Sequence, residues 1–156
     1  MVDLHELEAI KRLKYRYLRC LDTKRWDELA DCLTEDCRSA YGDGHFSFDG
    51  RDKIVAFLKE ALGPASRITA HRVQQPEIEF TSPTSATGVW ALDDVVIETE
   101  AKITIRGAAF YHDEYVKVGS AWKIKKTGYT RLYEEQESRT DTPSLRLTQH
   151  AHVNDK

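Results

Sequence analysis

The hydrophobic pattern of this chain changes period partway along. Up to about residue 62, apolar positions recur at helical spacing, whereas from Ser66 onward they gather in long runs rich in β-branched and aromatic residues. Within residues 6–22, Leu7, Ile10, Tyr17, Leu18 and Leu21 fall on one helical face. Lys14 interrupts that face and is expected at its edge, with only its stem buried. A short second helix is expected over Trp26–Leu33, with Trp26, Leu29 and Leu33 turned inward. Arg38–Tyr41 reads as a short strand closed by Gly42-Asp43-Gly44, and Phe46 and Phe48 alternate in a brief strand-like piece. A third helix begins near Asp49-Gly50 and carries Ile54, Phe57, Leu58 and Ala61 to about Leu62, where Gly63-Pro64 stops it.

The second half predicts four strands, Ile68–Phe80, Ser85–Thr99, Ile103–Val118 and Ala121–Tyr133. Helices first and long strands afterwards predict an α+β domain, with three N-terminal helices packed on one side of a curved, mostly antiparallel sheet. Such a sheet forms a cone-shaped barrel with a pocket between sheet and helices. The domain is expected over residues 1–137. The polar stretch after Tyr133, which contains Pro143, reads as a flexible or partly helical tail or an arm on a neighbouring subunit. Strands apolar on both faces predict a homo-oligomer, dimer or trimer, because one face needs a cover.

Composition narrows the classes. A chain of 156 residues with 40% hydrophobic and 31% charged content suits one globular domain. A net charge of −3 with dispersed basic residues gives no footprint for nucleic acid. No apolar run approaches the roughly 18 residues of a membrane span, and the acidic N-terminus does not resemble a signal peptide. Cys20, Cys32 and Cys37 are odd in number and lack CxxC spacing, so they read as reduced thiols of a cytoplasmic protein. Metal binding fits poorly, because His150 and His152 have nothing nearby to complete a first shell. No GxSxG, phosphate loop or dinucleotide fingerprint is present, and no cofactor is expected.

Five scattered polar residues could move protons on a small organic substrate. Tyr17 is either a core tyrosine or a phenol aimed into a pocket. Asp22 is either the cap of the second helix or an acid facing that pocket. His71 stands alone in an extended run. Asp94 lies among Trp90, Leu92 and Val96, where a carboxylate is costly to bury unpaired, and His71 is its natural partner. Alternation does not decide whether Asp93 or Asp94 points inward. Arg131, between Tyr129 and Tyr133, is a surface arginine stacked on tyrosines or a clamp for an anionic group. Trp90, Tyr129 and His112 are candidate substrate contacts. His112 and Asp113 are a weaker acid–base pair, since neighbours on a strand face opposite ways.

These residues, in this order, resemble the SnoaL-like family of the nuclear-transport-factor-2-like superfamily, which includes ketosteroid isomerase, scytalone dehydratase and many polyketide cyclases. The similar stretches are Leu7–Leu33, Pro76–Ile78, Ala86–Leu92, Gly107–Tyr115 and Thr127–Glu135, within residues 5–137. Within that family the chain resembles the bile acid 7α-dehydratases. The resemblance implies a cone-shaped α+β barrel and cofactor-free elimination of water from a hydrophobic, steroid- or bile-acid-like hydroxylated carbonyl compound, free or as a coenzyme A thioester. It implies His71 as base, Asp94 as the aspartate that orients it, Tyr17 and Asp22 as further catalytic groups, and Arg131 in the site. Around His71 and in the loop Asp43–Asp49 the likeness is looser. An isomerase of the ketosteroid type, a ligand-binding module without catalysis and the small subunit of a ring-hydroxylating oxygenase remain alternatives.

Overall fold

The structure, a computed structural model, describes residues 3–151. Helix α1 (Leu4–Asp22) starts where the Asp3 carboxylate accepts the backbone N–H groups of His5 and Glu6. It ends at Asp22, and Lys24 then turns the chain with φ of 57°. The Lys24 ammonium then donates to the carbonyls of Gly63, Pro64 and Arg67 at 3.0, 2.5 and 2.9 Å, and so ties α1 to the end of α3 (Arg51–Leu62). Helix α2 spans Trp26–Asp31 and is shorter than its apolar pattern suggests. The Cys32 carbonyl accepts from Ile124 N–H at 2.8 Å, so Leu33 opens a strand instead of closing a helix.

That strand, β1 (Leu33–Tyr41), turns through Gly42-Asp43-Gly44 into β2 (Phe46–Asp49); φ is positive at all three turn residues. The long strands are β3 (Arg67–Ser82), β4 (Ser85–Glu98), β5 (Ile103–Val118) and β6 (Ala121–Ser138). They form one six-stranded sheet in the order β2-β1-β6-β5-β4-β3, antiparallel except where β1 runs parallel to β6. The sheet curves without closing, and the three helices pack in its hollow, as the α+β cone expectation requires. β6 runs past Tyr133 to Ser138, where the expectation began a tail. Residues Glu134–Ser138 pair with Ile103–Gly107, so backbone hydrogen bonding keeps this polar stretch in the sheet.

One face of the sheet is buried. Trp90, Leu92 and Asp94 on β4, with Ala109, Tyr111, Asp113 and Tyr115 on β5, point inward, while Asp93, Phe110, His112 and Glu114 point out. Lys14 is not at a helix edge. Its side chain is fully buried, its ammonium lies 2.7 Å from Asp113 Oδ2 and it sits 3.4 Å above the centroid of the Tyr111 ring. Tyr115 donates to the same Asp113 oxygen at 2.7 Å and accepts from Trp90 Nε1 at 2.9 Å. Among the described residues no helix is long and apolar enough to cross a membrane. His152 lies outside the described residues.

Candidate active site

Between the helices and the sheet lies a cavity of about 160 Å³. Its walls carry four tyrosines (Tyr17, Tyr41, Tyr111 and Tyr129), the phenyl rings of Phe46 and Phe57, and the polar side chains of His71, Asp94 and Arg131. Phe57 stacks on Phe46 and Tyr41 with centroids 5.3 and 6.1 Å apart, so α3 and the β1–β2 hairpin form one aromatic wall.

His71 is held from above by α1. Its Nδ1 lies 2.7 Å from Asp22 Oδ1, and its backbone N–H donates to Asp22 Oδ2 at 2.8 Å. Thr69, two residues back on the same face of β3, donates its hydroxyl to Asp22 Oδ1 at 2.8 Å. Burial alone would raise the Asp22 carboxyl, but the bonds from His71 and Thr69 prevail and hold it below its ordinary value. A carboxylate accepting at Nδ1 fixes the proton there and leaves Nε2 with its lone pair. The His71 ring borders the cavity.

The expected partnership of His71 with Asp94 is therefore corrected. The two residues do stand opposite each other on β3 and β4. Asp94, however, takes Arg131 in a two-pronged ion pair, Nη1 to Oδ1 at 2.5 Å and Nη2 to Oδ2 at 2.9 Å. A delocalised cation that matches both carboxylate oxygens outcompetes a neutral imidazole. The reach across β5 exists because Gly107 lies between them; a Cβ there would sit 2.4 Å from Arg131 Nη1. The reading of Asp22 as a helix cap is corrected as well, since α2 starts from Arg25 without a side-chain cap and the Asp22 carboxylate is committed to β3.

Tyr17 and Tyr41 meet hydroxyl to hydroxyl at 2.8 Å. One O–H is spent within the pair, which leaves the other to donate to an oxygen in the cavity. Burial raises the phenols of Tyr17, Tyr41 and Tyr111 well above their ordinary value, so they stay protonated donors. Arg131 also packs over the Tyr129 ring at 4.7 Å, and both residues line the cavity. Trp90 and His112 do not line the cavity. Trp90 is buried against Tyr115, and His112 is on the outer face of the sheet, 3.3 Å from the Thr130 hydroxyl. The thiols of Cys32 and Cys37, pushed up by burial to about 11 and about 12, lie outside the cavity lining too.

Sequence reasoning missed Tyr41, Tyr111 and Thr69. The period of two along a strand could have found two of them, because Thr69 shares a face with His71, and Tyr111 shares one with Asp113.

Residues 2–128 match the family model of the SnoaL-like domain, and the chain belongs to that family. Among solved structures, a scytalone dehydratase-like protein of Novosphingobium aromaticivorans is 30% identical, with a TM-score of 0.79 over 85% of this chain and 87% of that one. The hexachlorocyclohexane dehydrochlorinase LinA-type3 of Novosphingobium barchaimii LL02 shares the fold at 21% identity, with a TM-score of 0.77 over 86% of this chain and 91% of that one. A curated relative, "Probable cyclase FGR4" of Gibberella zeae, is 23% identical over 80% of this chain and 89% of its own length.

Proposed function

We propose that this member of the SnoaL-like family is a cofactor-independent lyase that eliminates water from a compact, hydrophobic, hydroxylated carbonyl compound. The observation that carries the proposal is the Asp22–His71 pair at the wall of an aromatic cavity whose Tyr17–Tyr41 hydroxyls can hold a carbonyl oxygen. His71 Nε2 takes the proton from the carbon beside the carbonyl. The electron pair moves toward the carbonyl oxygen, where the free tyrosine O–H stabilises the developing enolate. Collapse of the enolate forms the carbon–carbon double bond and breaks the carbon–oxygen bond, and the proton held on Nε2 leaves with the hydroxyl as water. Asp22 keeps the ring in the useful tautomer and stabilises the imidazolium in between. The dehydratase-like name of the 30%-identical relative supports this class of reaction.

The cavity also narrows the substrate. About 160 Å³ is below the roughly 300 Å³ at which sites for drug-sized ligands begin, so one or two rings fill it and a steroid or bile acid would leave most of its skeleton outside. The test is an ultraviolet assay on a panel of aromatic β-hydroxy ketones, read as growth of the conjugated product. His71→Asn and Tyr17→Phe proteins run in parallel, and proton exchange in deuterated water separates elimination from isomerisation. Turnover is expected to vanish in His71→Asn; turnover within tenfold of the parent would refute the proposal.

A further inference from the structure

The cavity is closed toward solvent by a single side chain. Among the described residues that line it, only Phe46 is exposed, at 51%; the others are buried or half-buried. A lone exposed aromatic is ordinary on a protein surface. This one, however, has the cavity on one side and solvent on the other. It stands in β2, the four-residue edge strand that pairs only with β1. The ring rests at two places. It stacks on Phe57 with centroids 5.3 Å apart, and it lies against Gly42, where a Cβ would stand 3.4 Å from it.

The backbone behind that ring is fixed by the site itself. The Asp43 carboxylate accepts from the Arg131 backbone N–H at 2.9 Å, and the Asp43 N–H donates to the Tyr129 carbonyl at 3.3 Å. Phe46 pairs with Tyr41 across the hairpin, so its Cα keeps register with a tyrosine of the cavity. The turn is thereby tied to the strand that carries Tyr129 and Arg131, through backbone groups and Asp43. The size of residue 46 thus alters the width of the cavity without altering the turn. Phe48, two residues on, differs: it packs on Phe57 with centroids 4.6 Å apart, yet it does not line the cavity.

We propose that Phe46 determines the largest substrate the site accepts. Its ring closes the cavity at two fused rings, and a smaller side chain at this position opens it to planar ketones of three and four rings. The bearing of this on the reaction rests on the lyase reading above; its bearing on which molecules enter does not. A cavity of about 160 Å³ has no room for a third ring unless a wall gives way. In the parent, a third ring must push Phe46 off Phe57 and forfeit that stacking, or stay in solvent. With Phe46 shortened, the third ring takes the vacated place beside Phe57 and buries its own apolar surface there.

Calorimetric titration reads this without turnover. The probes are α-tetralone with two rings, a tetrahydrophenanthrenone with three and progesterone with four. The parent is expected to bind α-tetralone saturably and the two larger ketones at least about tenfold more weakly. Phe46→Ala is expected to bind the larger ketones at least about tenfold more tightly than the parent does and to lose affinity for α-tetralone, with Phe46→Leu between the two. Phe48→Ala, which removes a neighbour of Phe57 without opening the cavity, keeps the parent's order of affinities. The proposal is overturned if the parent binds all three ketones alike, if neither Phe46 variant changes their order, if Phe48→Ala changes it as much as Phe46→Ala does, or if no probe binds saturably to any of these proteins. Full turnover in His71→Asn would remove the lyase reading and leave the order of affinities standing, whereas an unshifted order removes this proposal whatever the turnover.

Discussion

Asp22→Asn isolates the relation on which the proposed chemistry depends. The side chains are the same size, and the asparagine oxygen can still accept from the His71 backbone N–H, which lies 2.8 Å from Oδ2 of the carboxylate. The asparagine NH₂ must then face His71 Nδ1, where a carboxylate oxygen now stands at 2.7 Å. A donor there requires Nδ1 to accept, which moves the ring proton to Nε2 and removes the base from the cavity. General base catalysis contributes about 10²–10⁴ in rate, and losing the tautomer removes nearly all of it. A fall of about 10³-fold in kcat/KM is expected, about 4 kcal/mol. Stability should fall by only about 1–2 kcal/mol, because hydrogen bonds remain but lose their charge assistance. Long-range proton–nitrogen correlation of the imidazole reads the tautomer directly: proton on Nδ1 in the parent, on Nε2 in the variant. The same variant has a pH signature. The Asp22 carboxyl is held below its ordinary 3.8 in the folded protein, so its contribution to stability is present above that value and is lost as pH falls through the folded value. Asp22→Asn should lack this part of the acid unfolding. An unchanged tautomer, with activity within tenfold of the parent, would refute the reasoning.

Three further substitutions probe the frame around the site. Gly107→Ala places a Cβ 2.4 Å from Arg131 Nη1, so the arginine should be forced off Asp94, with a loss of about 2–4 kcal/mol in urea unfolding; an unchanged midpoint would show that the pair is not held by the glycine gap. Lys14→Met leaves the Asp113 carboxylate buried without its cation and should cost about 3–5 kcal/mol, much of which Lys14→Met/Asp113→Asn should restore; simple additivity of the single losses in a double-mutant cycle would deny the coupling. Lys24→Met removes the ammonium shared by the Gly63, Pro64 and Arg67 carbonyls and should lower stability by about 1–3 kcal/mol, or about 2–4 °C in Tm for each kcal/mol, with no change in His71 chemistry; an unchanged Tm would show that the clamp is idle.

Tyr17, Asp22, His71, Asp94 and Arg131 were all legible as candidates, and the fold explains why. Tyr17 lies on the apolar face of α1, and Asp22 closes that helix over β3. A charged or polar residue in an inward register must meet a partner, so each was conspicuous against its apolar neighbours. Who meets whom was not legible. Strand register sets His71 and Asp94 opposite each other, and from that pairing alone they look like a dyad. The outcome turned on two things outside β3 and β4: the missing side chain at Gly107, which opens a passage for Arg131, and the end of α1, which places Asp22 on Thr69 and His71. Trp90 shows a second gap between pattern and place. It points to the same face as Asp94, yet four residues along a strand is roughly 13 Å, far enough to leave the cavity lining. Residue periodicity thus selects a face, whereas position along the strand and the glycines between neighbours select the partner. The Asp22 carboxylate, joined to both Thr69 and His71 across a helix–sheet contact, is the element on which the proposed chemistry turns, because a helix packed on β3 brings it to the ring nitrogen that does not serve as the base.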